Sequence, residues 1–479
     1  MPRRFSHTQL ILYCLVGVVL FGVMEAVAGS SNPKIIELQA SRDKGRKKRI
    51  DLSNSQLSDE DFEAIFASDI LPHADTLELL NLGGNNLTRL PLNFDRCKAL
   101  KILFFANNSF ESVPEVLSSI ELNMLSFKGN KLTTIPEGSL NPSITWLILT
   151  DNHLTALPQG IGNLTGLRKV MLAANKITSL PDEMEKCVNI ELIRLSSNAF
   201  TEFPDWLWSL PKLSWIAFAG NMNTTIDNES DELKAIDYKD LEVKEKLGEG
   251  ASGEVYRAMY GGSDVALKLF RGAATSDGLP EDEIKVMQRL GPDENSVSIL
   301  GSVVGAPEGQ LAALLPLVPP SFTILGNPPT FDSCTRDTYP EDKTFSLRTA
   351  IEILEAIARV CAHLHSRGLS HGDLYAHNIL VQIGVDGEPT RTKLSDYGAA
   401  SFSSVLKPHQ VALLERIEVR AFGALAEELM DRLEEADAEG VAHRLSSVIV
   451  KSMRADVASR PSFSEIHQEM VALLKEVVQ

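Results

Sequence analysis

The chain has 479 residues, more than one ordinary core supports and enough for two or three domains. Apolar residues make up 44 % and charged residues 23 %, which excludes a disordered chain and a multispan membrane protein. With 46 Lys plus Arg against 64 Asp plus Glu, the net charge is −18, a field that repels phosphate backbones and argues against nucleic acid as a partner. The cysteines Cys14, Cys97, Cys187, Cys334 and Cys361 are odd in number and scattered. They read as single buried thiols, not as a disulfide framework or a metal-ligand set.

Residues 1–30 stand apart from the rest. Arg3 and Arg4 precede an uncharged run over residues 10–24, followed by Glu25 and the small residues Ala26-Val27-Ala28-Gly29. That run is shorter than the ~20 residues of a bilayer span, and Ala26-x-Ala28 fits a signal-peptidase site. Extended to Ala28, it also reads as an uncleaved anchor. Lys34, Arg42, Lys44, Arg46, Lys47, Lys48 and Arg49 lie beyond it in a basic linker, residues 31–49. Such an excess holds the following chain on the cytoplasmic side. The two expectations are membrane association with everything downstream cytoplasmic, or secretory or organelle targeting after cleavage.

The next stretch repeats itself. Seven runs, LELLNLGGN, LKILFFANN, LNMLSFKGN, ITWLILTDN, LRKVMLAAN, IELIRLSSN and LSWIAFAGN, end in Asn85, Asn108, Asn130, Asn152, Asn175, Asn198 and Asn221. Their spacing is 22 or 23 residues throughout. Each unit offers a short strand whose apolar side chains it cannot bury alone, so units must stack. The asparagine stands where the strand turns away, and its amide can satisfy backbone groups the turn leaves unpaired. Over residues 50–222 the sequence resembles the leucine-rich-repeat family, which implies an α/β solenoid with strands on a concave face. The third position of each run, Leu79, Ile102, Met124, Trp146, Lys169, Leu192 and Trp215, is expected to point outward there. A mostly apolar column with two tryptophans suggests a surface for a protein partner.

An acidic, polar linker follows at residues 223–240, without an apolar stretch, so no membrane span separates the repeats from the rest. Residues 241–270 then read LEVKEKLGEGASGEVYRAMYGGSDVALKLF. Gly248, Gly250 and Gly253 sit between two alternating, strand-like segments, so they form a hairpin tip able to approach phosphates, with Val255 just beyond. Ala266 and Lys268 lie on the next strand, and Glu283, on a following helix, is placed to fix that lysine. Past an amphipathic helix over residues 346–368 comes His371-Gly372-Asp373-Leu374-Tyr375-Ala376-His377-Asn378, and later Asp396-Tyr397-Gly398. Phosphoryl transfer needs one carboxylate to orient the attacking hydroxyl and oxygen ligands for magnesium. Asp373 fits the first role; Asn378 and Asp396 fit the second.

Together these motifs make residues 241–479 resemble the protein kinase family. The resemblance implies a two-lobed α+β fold that uses ATP and Mg2+ to phosphorylate a protein substrate, most simply on serine or threonine. Asp373 would be the base, Lys268 with Glu283 the phosphate contact, and Gly248, Gly250, Gly253, Val255, Ala266 and Lys268 the nucleotide site. Glu418 opens what resembles the central large-lobe helix, Arg460 matches an arginine that braces the activation segment, and Glu415 is a candidate replacement for the glutamate of the missing Ala-Pro-Glu. Residues 317–340 read as a variable loop beyond the cleft. His371 reads as a packing residue. Three departures stand out: Gly372 replaces an arginine, Tyr375 replaces a lysine, and the activation segment is short. They leave two alternatives, a nucleotide-binding pseudokinase scaffold and a small-molecule phosphotransferase.

Overall fold

The computed structural model describes residues 33–40, 47–221, 233–250, 252–271, 275, 277–385, 388–434 and 439–478. The expected anchor or signal segment, most of the basic linker's centre and residues 222–232 lie outside the described residues. Two compact units emerge, one reaching Leu210 and the other starting at Pro211. By sequence the last repeat run is a repeat; by packing it belongs to the C-terminal unit.

In the first unit, helix α1 (Pro33–Ala40), strand β1 (Arg49–Asp51) and helix α2 (Asp59–Ile65) precede six repeat strands. These are β2 (Leu79–Asn81), β3 (Ile102–Phe104), β4 (Met124–Ser126), β5 (Trp146–Ile148), β6 (Lys169–Met171) and β7 (Leu192–Arg194). All pair in parallel with unbroken register, so Leu79, Ile102, Met124, Trp146, Lys169 and Leu192 stand side by side. Between β1 and β2 the return path starts as the α-helix α2, capped by Ser58. In the later repeats the return is a five-residue 3-10 turn entered through Pro114, Pro158, Pro181 or Pro204. A repeat of 22 or 23 residues that has already spent residues on strand, asparagine turn and proline has no room for an α-helix.

The asparagines tie neighbouring repeats together. Asn152 donates from Nδ2 to Phe127 O of the preceding repeat at 2.9 Å and to Leu149 O of its own at 3.0 Å, and accepts from Leu132 N at 2.9 Å. Asn108, Asn130, Asn175 and Asn198 repeat the pattern. The residue before each of Asn85, Asn108, Asn130, Asn152, Asn175 and Asn198 has left-handed backbone, glycine at Gly84 and Gly129 but also Asn107, Asp151, Ala174 and Ser197. Behind the strands the core carries aromatic clusters, among them Phe105, Phe110 and Phe127 within 5.3 Å of one another.

The C-terminal unit opens with β8 (Trp215–Ala217) and β9 (Ala235–Asp237). Its first lobe is a sheet of β10 (Glu242–Glu249), β11 (Gly253–Tyr260), β12 (Ser263–Phe270), β13 (Gly301–Val304) and β14 (Ala312–Pro316), ordered β10-β11-β12-β14-β13. Strand β9 adds to its edge in parallel, placing Ile236 in the core, so the end of the expected linker is structured. Helix α3 (Pro280–Leu290) accompanies this sheet. The second lobe is helical: α4 (Leu347–Ser366), α5 (Pro408–Met430), α6 (Glu439–Ser452) and α7 (Phe463–Val478). Small sheets join β15 (Thr323–Ile324) to β17 (Ile379–Gln382) and β18 (Arg391–Leu394), and β16 (Leu369–Ser370) to β19 (Ser401–Phe402). Helix α5 begins ten residues before Glu418, which corrects the expectation that Glu418 opens it. Pro408 sets the start, since proline suits a first helical turn.

Cys97, Cys187, Cys334 and Cys361 are all buried free thiols. Desolvation pushes Cys97 and Cys187 up to about 11 and raises Cys361 as well. Among the described residues no helix is long and apolar enough to cross a membrane.

Candidate active site

Strands β10 and β11 form the expected glycine hairpin. Gly250 and Gly253 close its tip by reciprocal backbone bonds of 2.8 and 3.3 Å. A Cβ on Gly253 would lie 2.1 Å from Leu269 O of β12, so only glycine lets the tip lie flat on its neighbour. Beneath it lies an apolar cleft. Gly248, Val255 and Ala266 line it as expected. So do Leu315, Pro316, Leu317, Val318, Pro319 and Phe322, together with Val297, Leu380 and Ser395. Residues 317–322 are therefore part of the cleft wall, a correction to their reading as a loop beyond it. Pairing of β12 with β14 carries the chain there, and that long-range contact is not visible in the local pattern.

Lys268 projects from β12 and meets Glu283 of α3 at 2.6 Å, both side chains nearly fully buried. A buried charge persists only when paired, so each residue fixes the other. A Cβ on Gly398 would sit 3.3 Å from Asp396 Oδ1 and 3.8 Å from Glu283 Oε2, which shows how closely the three elements converge. Desolvation pushes the Asp396 carboxyl up to about 6; Lys268 opposes this while Glu283, Asp373 and Asp277 reinforce it.

The loop after β16 holds the remaining groups. Asn378 Nδ2 donates to Asp373 O at 2.9 Å and to Asp373 Oδ2 at 2.8 Å. His371 is fully buried, its Nε2 against Ser395 O at 3.0 Å and its Nδ1 accepting from Asp373 N at 3.2 Å. It packs and orients, in agreement with its sequence reading. Glu418 accepts from Gly372 N at 2.6 Å and meets His365 Nε2 at 2.7 Å, so a mid-helix carboxylate fixes the loop. His377 pairs through Nδ1 with Asp337 at 2.8 Å. Desolvation alone would lower its pKa, but that carboxylate overrides it and the net shift is upward. Arg460 does not meet Glu415. Its guanidinium donates to the backbone oxygens of Arg454, Arg416 and Pro211, while Glu415 accepts from Phe463 N. Arg460 is thus a buried cation among carbonyls, and desolvation lowers it to about 9.

Among the described residues no group of three or more His, Cys, Asp or Glu forms a ready metal cage. Asp396 and Asn378 nonetheless suit magnesium. Asp396 is a carboxylate with an excess of acidic neighbours, and the bonds of Asn378 use only its nitrogen, leaving Oδ1 for a cation. Magnesium takes few protein oxygens and completes its shell with phosphates and water.

Comparison with known proteins matches both modules. Residues 241–412 match the protein kinase domain, and residues 142–200 and 165–222 match the leucine rich repeat. The chain joins leucine-rich repeats to a protein kinase domain. It is 31 % identical over 186 residues to the probable serine/threonine-protein kinase kinY of Dictyostelium discoideum, covering 36 % of this chain and 30 % of that protein. To the probable serine/threonine-protein kinase gdt2 of the same organism it is 26 % identical over 194 residues, 40 % of this chain and 10 % of that protein. To the probable serine/threonine-protein kinase SIS8 of Arabidopsis thaliana it is 26 % identical over 297 residues, 53 % and 28 %. The chain thus spans less than a third of the length of these relatives. Of the column residues expected to point outward, Trp215 in the last repeat run instead is 3 % exposed and stacks on Tyr375. Of the other column residues, Leu79, Ile102 and Trp146 are partly exposed, and Met124, Lys169 and Leu192 are buried.

Proposed function

We propose that the chain is an ATP- and magnesium-dependent protein kinase acting on serine or threonine. The observation that carries this is the buried Lys268–Glu283 pair, converging with Asp396 beneath a glycine hairpin and beside an apolar cleft. Lys268, held by Glu283, presents its ammonium to phosphate oxygens. Backbone N–H groups of the hairpin face the same phosphates, and Val255, Ala266 and Leu380 grip an apolar base. Asn378 holds the Asp373 carboxylate, which accepts the proton of the attacking hydroxyl as the hydroxyl oxygen bonds to the γ-phosphorus of ATP and the bond to the bridging oxygen breaks, releasing ADP. Asp396 and Asn378 would hold magnesium, which neutralises charge on the phosphates. Tyr375 supplies no cation on the acceptor side, so turnover is slow relative to lysine-bearing enzymes.

The partly exposed Leu79, Ile102 and Trp146, with Lys169 Nζ 4.0 Å from the Trp146 ring centroid, support recruitment of a protein partner or substrate by the repeats. The test is transfer of labelled phosphate from ATP with magnesium, either to the protein itself or to a generic basic protein. Asp373→Asn is expected to lower the rate by about 10²–10⁴-fold. Thermal stabilisation by ATP without any phosphate transfer would replace this reading with the nucleotide-binding scaffold. Transfer to a small hydroxyl compound but to no protein would favour the small-molecule phosphotransferase.

A further inference from the structure

Strand β8 lies against both neighbours of Asp373. The Trp215 indole stacks flat on Tyr375, ring centroids 4.3 Å apart and planes 5° from parallel, and its Nε1 donates to Leu374 O at 2.9 Å. The Tyr375 ring is also stacked with His377 at 5.0 Å, and His377 is anchored by Asp337. On the other side of Asp373, Gly372 has φ of +73°, and a Cβ there would lie 2.6 Å from Ile216 O and from Ala399 O. Just past β8, Phe218 N donates to Ser401 Oγ at 3.0 Å. Gly372 and Tyr375, which stand where the kinase resemblance expects an arginine and a lysine, thus both meet the last repeat run.

We propose that Trp215 is a positioning residue for phosphoryl transfer: the last repeat strand, docked on residues 372–375, fixes where the Asp373 carboxylate stands. This rests on the kinase reading of Asp373. It goes beyond that reading in assigning a repeat residue to the reaction geometry. The flat stack sets the Tyr375 ring plane, the indole N–H sets the Leu374 carbonyl, and Ile216 O closes against Gly372, so the backbone is held on both sides of Asp373.

The test uses the full chain. Trp215→Leu keeps apolar bulk but loses the stack and the donor; Trp215→Phe keeps the stack alone. The expected result is a fall in kcat of about tenfold or more for Trp215→Leu with KM for ATP within about twofold of the parent, and recovery of most of kcat in Trp215→Phe. Amide hydrogen exchange over residues 371–378 is expected to quicken in Trp215→Leu and much less in Trp215→Phe. A Trp215→Leu variant that keeps the parent's kcat, or one that is faster, overturns the proposal. If the parent transfers no phosphate at all, the kinase reading fails, and exchange then judges the positioning by itself: unchanged protection over residues 371–378 in Trp215→Leu overturns it.

Discussion

At Asp396 one carboxyl carries opposing demands. Its ordinary pKa is 3.8, and desolvation with three acidic neighbours lifts it to about 6 in the folded protein, Lys268 notwithstanding. An acid whose folded pKa is raised holds its proton more tightly when folded. Its contribution to stability is therefore full below about 4, declines as pH rises toward 6, and stays lost above. In the nucleotide-free protein at pH 7.5, Asp396→Asn removes that unfavourable charge and is expected to stabilise by about 1–3 kcal/mol, each kcal/mol worth about 2–4 °C in Tm. The parent, and not the variant, should gain further Tm from magnesium plus ATP. That gain should shrink below pH 6, where the proton competes with the cation. Differential scanning at pH 5.0 and 7.5 with and without magnesium nucleotide checks all three statements.

Elements were legible in the sequence to unequal degrees. The repeat ladder was plain because its period is set locally, by one asparagine and one apolar run per turn of the solenoid. The same asparagine makes a test: Asn152→Ala leaves Leu132 N without its acceptor, while Phe127 O and Leu149 O keep only the amides of Asn130 and Asn175. The expected cost is about 1–3 kcal/mol, read as a lower denaturant midpoint with little change in slope. Asp373, Asn378 and Asp396 were legible because two short loops hold them at fixed chain spacing. Glu283 was legible as a first-turn acid on a helix facing a lysine strand. The rest was not, for a common reason. Residues 317–322 reach the cleft only because β14 pairs with β12, Arg460 turns to carbonyls because a remote backbone oxygen at Pro211 is there, and Trp215 reads as an exposed column residue until the Tyr375 ring is beside it. Each depends on a contact between segments far apart in the chain, which periodicity does not carry.

For the molecule as a whole, the boundary at Pro211 matters more than the boundary between motif types. Residues 211–221 supply the Trp215 stack and the Pro211 carbonyl that accepts from the buried Arg460. A fragment of residues 233–479 loses an aromatic stack and leaves a buried cation one acceptor short. It is expected to melt about 5–10 °C below a fragment of residues 211–479, measured by thermal unfolding at equal concentration. The four buried thiols add a built-in reporter of how each unit opens. Cys97 and Cys187 lie in the repeats, Cys334 and Cys361 in the C-terminal unit, and burial keeps all four from reagents that need an accessible thiolate. An alkylating agent added during gentle warming can mark each pair only after its own surroundings open. Mass mapping of the order in which the pairs are marked would therefore reveal which half of the chain yields first.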